Sequence, residues 1–170
     1  MGRSVAASIL VLIAMPALAA ELPSRKPGQW EITMTLENRN VPGQTVRQCI
    51  DAATDQSMQS SAGAIAQAAC SRRDVQRSGN LITIDSTCTV GGKPSTSHAV
   101  ITGSFDSAYT MKVTSQSEGG ASRAMTISAK WLGPCAADQK PGDMITANGT
   151  KLNILEMQKR VPSSIPVPAR

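Results

Sequence analysis

The sequence predicts a mainly β domain: an antiparallel meander of about seven strands forming a curved sheet or partial barrel, with a small helical insertion and a short C-terminal helix. Three observations predict it. Apolar and polar residues alternate along several runs, Gly-containing turns separate those runs at regular spacing, and one Ala-, Ser- and Gln-rich stretch breaks the alternation.

Residues 1–19 come first and read as a secretory signal peptide. Arg3 precedes an apolar stretch over residues 5–15, Pro16 breaks it, and Ala17-Leu18-Ala19 supplies a small-residue cleavage site. The apolar side chains cover every face rather than one stripe, which argues against an amphipathic core helix. No cysteine follows the cleavage point, so no lipid anchor is expected. No run of 18 or more apolar residues suggests a transmembrane segment. The expected location is the bacterial periplasm.

After a polar lead over residues 20–27, residues 28–36 alternate cleanly. Trp30, Ile32, Met34 and Leu36 fall on one face, and Glu31, Thr33 and Thr35 on the other. Pro42-Gly43 marks a turn, and residues 45–50 return. Residues 51–69 are the helical insertion, with Asp51 as N-cap and one or two short helices interrupted near Gly63. Residues 74–77 and 81–90 form a hairpin, followed by strands over 95–105, 108–117 and 122–132. Tyr109, Met111 and Val113 share a face, as do Met125, Ile127, Ala129 and Trp131. The β domain therefore spans 28–135. Residues 136–160 are a C-terminal extension whose Leu152, Leu155 and Lys159 predict a helix over 151–160, and residues 161–170 a Pro-rich tail.

Cys49, Cys70, Cys88 and Cys135 allow three pairings. A three-residue loop of Ser78, Gly79 and Asn80 sets Arg77 against Leu81 and Cys70 against Cys88, leaving Cys49 for Cys135. That register puts Val75 on the opposite face from Ile82 and Ile84. A two-residue Gly79-Asn80 turn unites the apolar residues but separates the cysteines, unless a bulge reconciles the two. No C-x-x-C spacing is present and His98 is the one histidine, so structural disulfides are favoured over zinc or redox chemistry.

Composition narrows the function classes. The net charge of +5 falls to +4 once Arg3 is removed, and the basic residues are scattered, which argues against nucleic acid as a partner. Trp30, Phe105, Tyr109 and Trp131 are all the aromatics, too few for a site built from stacked rings. Leu, Ile, Val and Phe make up 25 of the 151 residues after Ala19, a thin core of the kind that leans on disulfides.

The segment Lys26-Pro27-Gly28-Gln29-Trp30-Glu31 opens a strand, and Arg47-Gln48-Cys49 follows. Cys70 and Cys88 flank Arg77-Ser78-Gly79-Asn80, and Lys130-Trp131-Leu132-Gly133-Pro134-Cys135 closes the pattern. Over residues 26–135 this arrangement resembles the bacterial secreted proteins catalogued as domain of unknown function 3617. The chain departs from them in residues 51–69, where that family often carries Pro and acidic residues. The resemblance implies an exported, mostly β domain and supplies no catalytic residue.

No cofactor or metal is expected. His98 lacks a nucleophile elbow nearby, and the aspartates are too dispersed for sequence to pair them. The favoured reading is a non-catalytic binding module for a small apolar molecule or an extended peptide, with Trp30, Met34, Met111, Met125 and Trp131 as candidate ligand contacts. The alternative is a hydrolase-type envelope enzyme using carboxylates.

Overall fold

The computed structural model describes residues 22–37 and 41–160, with the side chain of Arg160 excepted. Residues 1–21, which include the expected signal peptide, residues 38–40 and the expected Pro-rich tail lie outside the described residues. Nine antiparallel strands form one sheet: β1 (Gly28–Leu36), β2 (Gln44–Ile50), β3 (Cys70–Ser78), β4 (Leu81–Val90), β5 (Lys93–Ser104), β6 (Ala108–Ser117), β7 (Arg123–Gly133), β8 (Asp143–Thr146) and β9 (Lys151–Asn153). Helix α1 (Ala52–Ala69) joins β2 to β3, and α2 (Ile154–Arg160) follows β9. The spatial order is β3-β4-β5-β6-β7-β1-β2-β8-β9. The sheet is open, with β3 and β9 at its two edges.

Geometry requires the sheet to curl. Helix α1 leaves β2 at Ile50, the end of the sheet where β1 begins, and reaches β3 at Cys70, the other end. Six strand spacings of ~4.8 Å and strands ~30 Å long give a flat diagonal of about 40 Å. Eighteen residues of helix span only ~27 Å. Helix α1 is therefore a chord across a concave sheet, and Met58 packs its first half onto Trp30 and Ile50.

Four expectations need correcting. Helix α1 is one continuous helix of 18 residues, without the expected interruption near Gly63: a side chain there would meet open space, and the glycine penalty of ~1 kcal/mol does not break a helix tied down at both ends. The β3–β4 turn has two residues, Gly79 (φ 58°) and Asn80, with Ser78 opposite Leu81. Val75 thus lies opposite Ile84 and shares its face, and a bulge at Ser71 shifts the register so that Cys70 still meets Cys88. Nine strands replace about seven, because β8 and β9 are too short to show a period in the sequence. Finally, residues 151–153, expected to be helical, form β9, and the helix begins at Ile154.

Candidate functional site

Strict alternation and the pairing register together decide which side chains share the concave face. Ile32, Ala129, Tyr109 and Gly103 line up across β1, β7, β6 and β5. The next row is Met34, Ile127, Met111, Ile101 and Ile82. Beyond it come Leu36, Met125, Val113, Ala99, Ile84 and Val75. The convex face carries Thr33, Thr45, Thr102, Thr110 and Thr126 with mixed charges.

One end of this face is packed shut. Trp30 is completely buried and clusters with Ile50 and Ala129, while Ile32, Met58, Tyr109 and Trp131 pack around them. The Trp30 indole N–H donates to the Lys26 carbonyl at 2.8 Å, and that of Trp131 to the Pro27 carbonyl at 3.0 Å. The Lys26 ammonium sits 3.8 Å from the centre of the Trp131 ring. Phe105 stacks on Tyr109 at 4.6 Å, and Trp30 meets Tyr109 at 5.8 Å. Few as they are, the aromatics gather in one place, so their low number does not disperse them. Gly28 is required here, because a Cβ would overlap the Gly133 carbonyl and Trp131 Nε1.

A buried ionic latch seals the same end. The Arg25 backbone N–H and Nε each donate to one Asp55 oxygen at 2.8 Å, and the guanidinium also reaches Gln48 Oε1 at 3.2 Å. Gln59 donates to Asp55 at 2.9 Å. Asp55 is 1% exposed and Arg25 9%. Burial raises the Tyr109 phenol above its ordinary value, with Arg25 opposing the shift. Sequence reasoning missed this latch. The available signal is that Asp55 is the sole charge in the helix Ala52–Ala69, one turn after the cap.

Helix α1 is fixed covalently beside both ends. Cys49, just before its Asp51 cap, is disulfide-bonded to Cys135, and Cys70, just after Ala69, is bonded to Cys88. Between those anchors the helix seals little. Its buried residues are Thr54 and Asp55, and Ile65 points outward, 68% exposed. Met34, Met111 and Met125, in the two rows beyond the packed end, are consequently only half-buried.

The five candidate contacts thus all project from the concave face but divide into two groups. Trp30 is core, and Trp131 is half-buried beside it under Lys26. The three methionines lie further along, in the more open part. A cleft of about 180 Å³ opens at the packed end between Pro23-Ser24 and the β3–β4 hairpin, lined also by Ile82, Phe105, Arg77 and Asp106. His98 lies on the convex face with its Nδ1 2.7 Å from Asp85 Oδ1, both residues more than half exposed. Asp74 is paired opposite Asp85. Among the described residues no three His, Cys, Asp or Glu side chains are grouped to hold a metal, and no helix is long and apolar enough to cross a membrane.

Fold and site define a disulfide-braced, open antiparallel sheet whose apolar concave face is bridged by one helix. Residues 25–135 match the model of a family described as proteins of unknown function, DUF3617, and the chain belongs to that family. No curated protein and no solved structure matches it.

Proposed function

We propose that the protein is an exported, periplasmic binding module, without catalytic machinery, that holds a small apolar molecule on its concave face. One observation carries this reading: the Met34, Ile127, Met111 row and the Leu36, Met125, Val113 row stay partly open beneath a helix that contributes no large side chain there. Flexible thioethers on such a surface adapt to ligands of varied shape. A soluble domain leaves so much contiguous apolar surface uncovered at a cost, which a ligand offsets. Two disulfides suit an oxidising compartment.

The test uses the full mature chain and N-phenyl-1-naphthylamine, whose fluorescence rises in apolar surroundings. Saturable enhancement is expected, lost in Met111→Glu and retained in Thr110→Glu on the opposite face. Equal behaviour of the two variants sinks the reading. Displacement of the dye by extended peptides alone would assign the face to peptides instead.

A further inference from the structure

The apolar face changes character at its open end. Two residues beyond the Met125, Val113, Ala99, Ile84 and Val75 row, pairing aligns Arg123, Ser115, Ser97, Ser86 and Arg73 across β7, β6, β5, β4 and β3. The three serines are half-buried and both arginines exposed. No hydrogen bond or ion pair among the described residues engages any of these five side chains. Arg73, Arg77, Lys93 and Arg123 are the charged residues that β1 to β7 present on the concave face, and Glu31, Asp74 and Asp85 project from the convex one. Asp55, held by Arg25, and Asp106, at the cleft beside Arg77, lie at the packed end, whereas at the open end Glu37 accepts from Thr126 on the convex face and Glu118 sits in the turn after β6.

A line of unpartnered hydroxyls with a guanidinium at each end, and no carboxylate among them, is complementary to an oxyanion. Apolar rows run from it toward the aromatic cluster. From Ser97 down β5 to Gly103 the path is ~20 Å, the reach of a long acyl chain. We propose that the concave face binds a single-chain anionic amphiphile. Its phosphate or carboxylate head lies on the row from Arg73 to Arg123, and its tail runs past Val113 and Met111 toward Tyr109. This rests on the apolar-ligand reading above and names the ligand class.

Dodecyl phosphate, titrated calorimetrically as monomer into the full mature chain, is the test probe. Saturable one-to-one binding is expected, weakened about tenfold or more in Arg73→Gln/Arg123→Gln. Dodecyl maltoside should be indifferent to that double variant, inorganic phosphate alone should not bind, and Arg72→Gln on the convex face should change nothing. If dodecyl maltoside binds as well as dodecyl phosphate and the double variant alters neither, the head assignment is wrong while the apolar-ligand reading stands. If no chain binds at all, both fail. Tight binding of inorganic phosphate, or binding only to anionic vesicles and never to monomer, also overturns the proposal.

Discussion

The two ends of the concave face obey the same alternation and end up in opposite physical states. Around Trp30 the polar groups are largely answered: both indole N–H groups reach main-chain carbonyls, and Arg25, Asp55, Gln48 and Gln59 bond to one another. Around Met125 and Leu36 the side chains are just as apolar, yet Leu36 is 41% exposed and the neighbouring serine hydroxyls are unpartnered. What separates them is the covering layer. The polar lead and the first two turns of α1 close one end, while the small residues of the helix's second half leave the other ajar. Periodicity therefore marks which residues face inward, but a second layer decides which of those become core.

The strongest way to break the contrast is through the disulfides that pin the helix. In the chain-entropy view the bridge spanning 86 residues contributes about 4.6 kcal/mol and the one spanning 18 about 3 kcal/mol. The β3–β4 turn already holds the ends of the shorter loop together, which lowers its share further, whereas Cys49 is also buried and its truncation leaves a void. Cys49→Ala/Cys135→Ala should therefore destabilise more than Cys70→Ala/Cys88→Ala in chemical denaturation. The reverse order would mean that the far anchor of α1, rather than the packed end, carries the fold.

Within the sheet, Trp30→Ala should cost about 3–5 kcal/mol and Met125→Ala only about 1 kcal/mol, because its side chain is already half in water. Equal losses in urea titrations would show that both ends are core. For the latch, Asp55→Ala strands a buried guanidinium and should cost ~3 kcal/mol. Arg25→Met/Asp55→Leu removes both charges and should recover much of that loss. Failure to recover would mean that the backbone bond from Arg25 N–H, and not the ion pair, holds the lead in place.

These contrasts also mark how far the sequence could be read. The face of each long strand was legible, since Trp30, Ile32, Met34 and Leu36 need only the period of two to declare their side, and the register then brings them beside Met111 and Met125. The hairpin was legible only as a conflict between apolar pairing and cysteine pairing, because a bulge at Ser71 leaves no mark that the turn residues betray. Strands β8 and β9 were not legible: four and three residues hold no period, and β8 exists only because the edge of β2 offers it partners. The Arg25–Asp55 latch and the Arg73–Ser86–Ser97–Ser115–Arg123 row are properties of tertiary pairing. Residues 30 apart in the first case become neighbours only when α1 docks on the sheet, and residues on five strands in the second only when those strands pair in register.

The smallest effect sharpens the packed end at the entry to α1. Asp51 Oδ1 accepts the Thr54 backbone N–H at 2.7 Å. Hydrogen bonds from the Thr54 side chain, then from its backbone N–H, hold the Asp51 carboxyl below the usual carboxylate value, against a smaller opposing effect of burial. A depressed value in the folded state means that the unfolded chain binds the proton first. The cap's contribution is then complete above the ordinary carboxylate range near pH 4 and is lost as pH falls through the folded value. Asp51→Ala should cost about 1 kcal/mol at pH 7, toward the low end because the site is partly solvated. That deficit should shrink as the pH is lowered past ~4. Asp51→Asn keeps an acceptor for Thr54 without a titrating group, so it should lose less at pH 7 and show a flatter acid limb. Denaturation of the three proteins across pH 2.5–7 decides the matter: parallel curves for wild type and Asp51→Asn would remove the carboxylate's charge from the account and leave only its geometry as a cap.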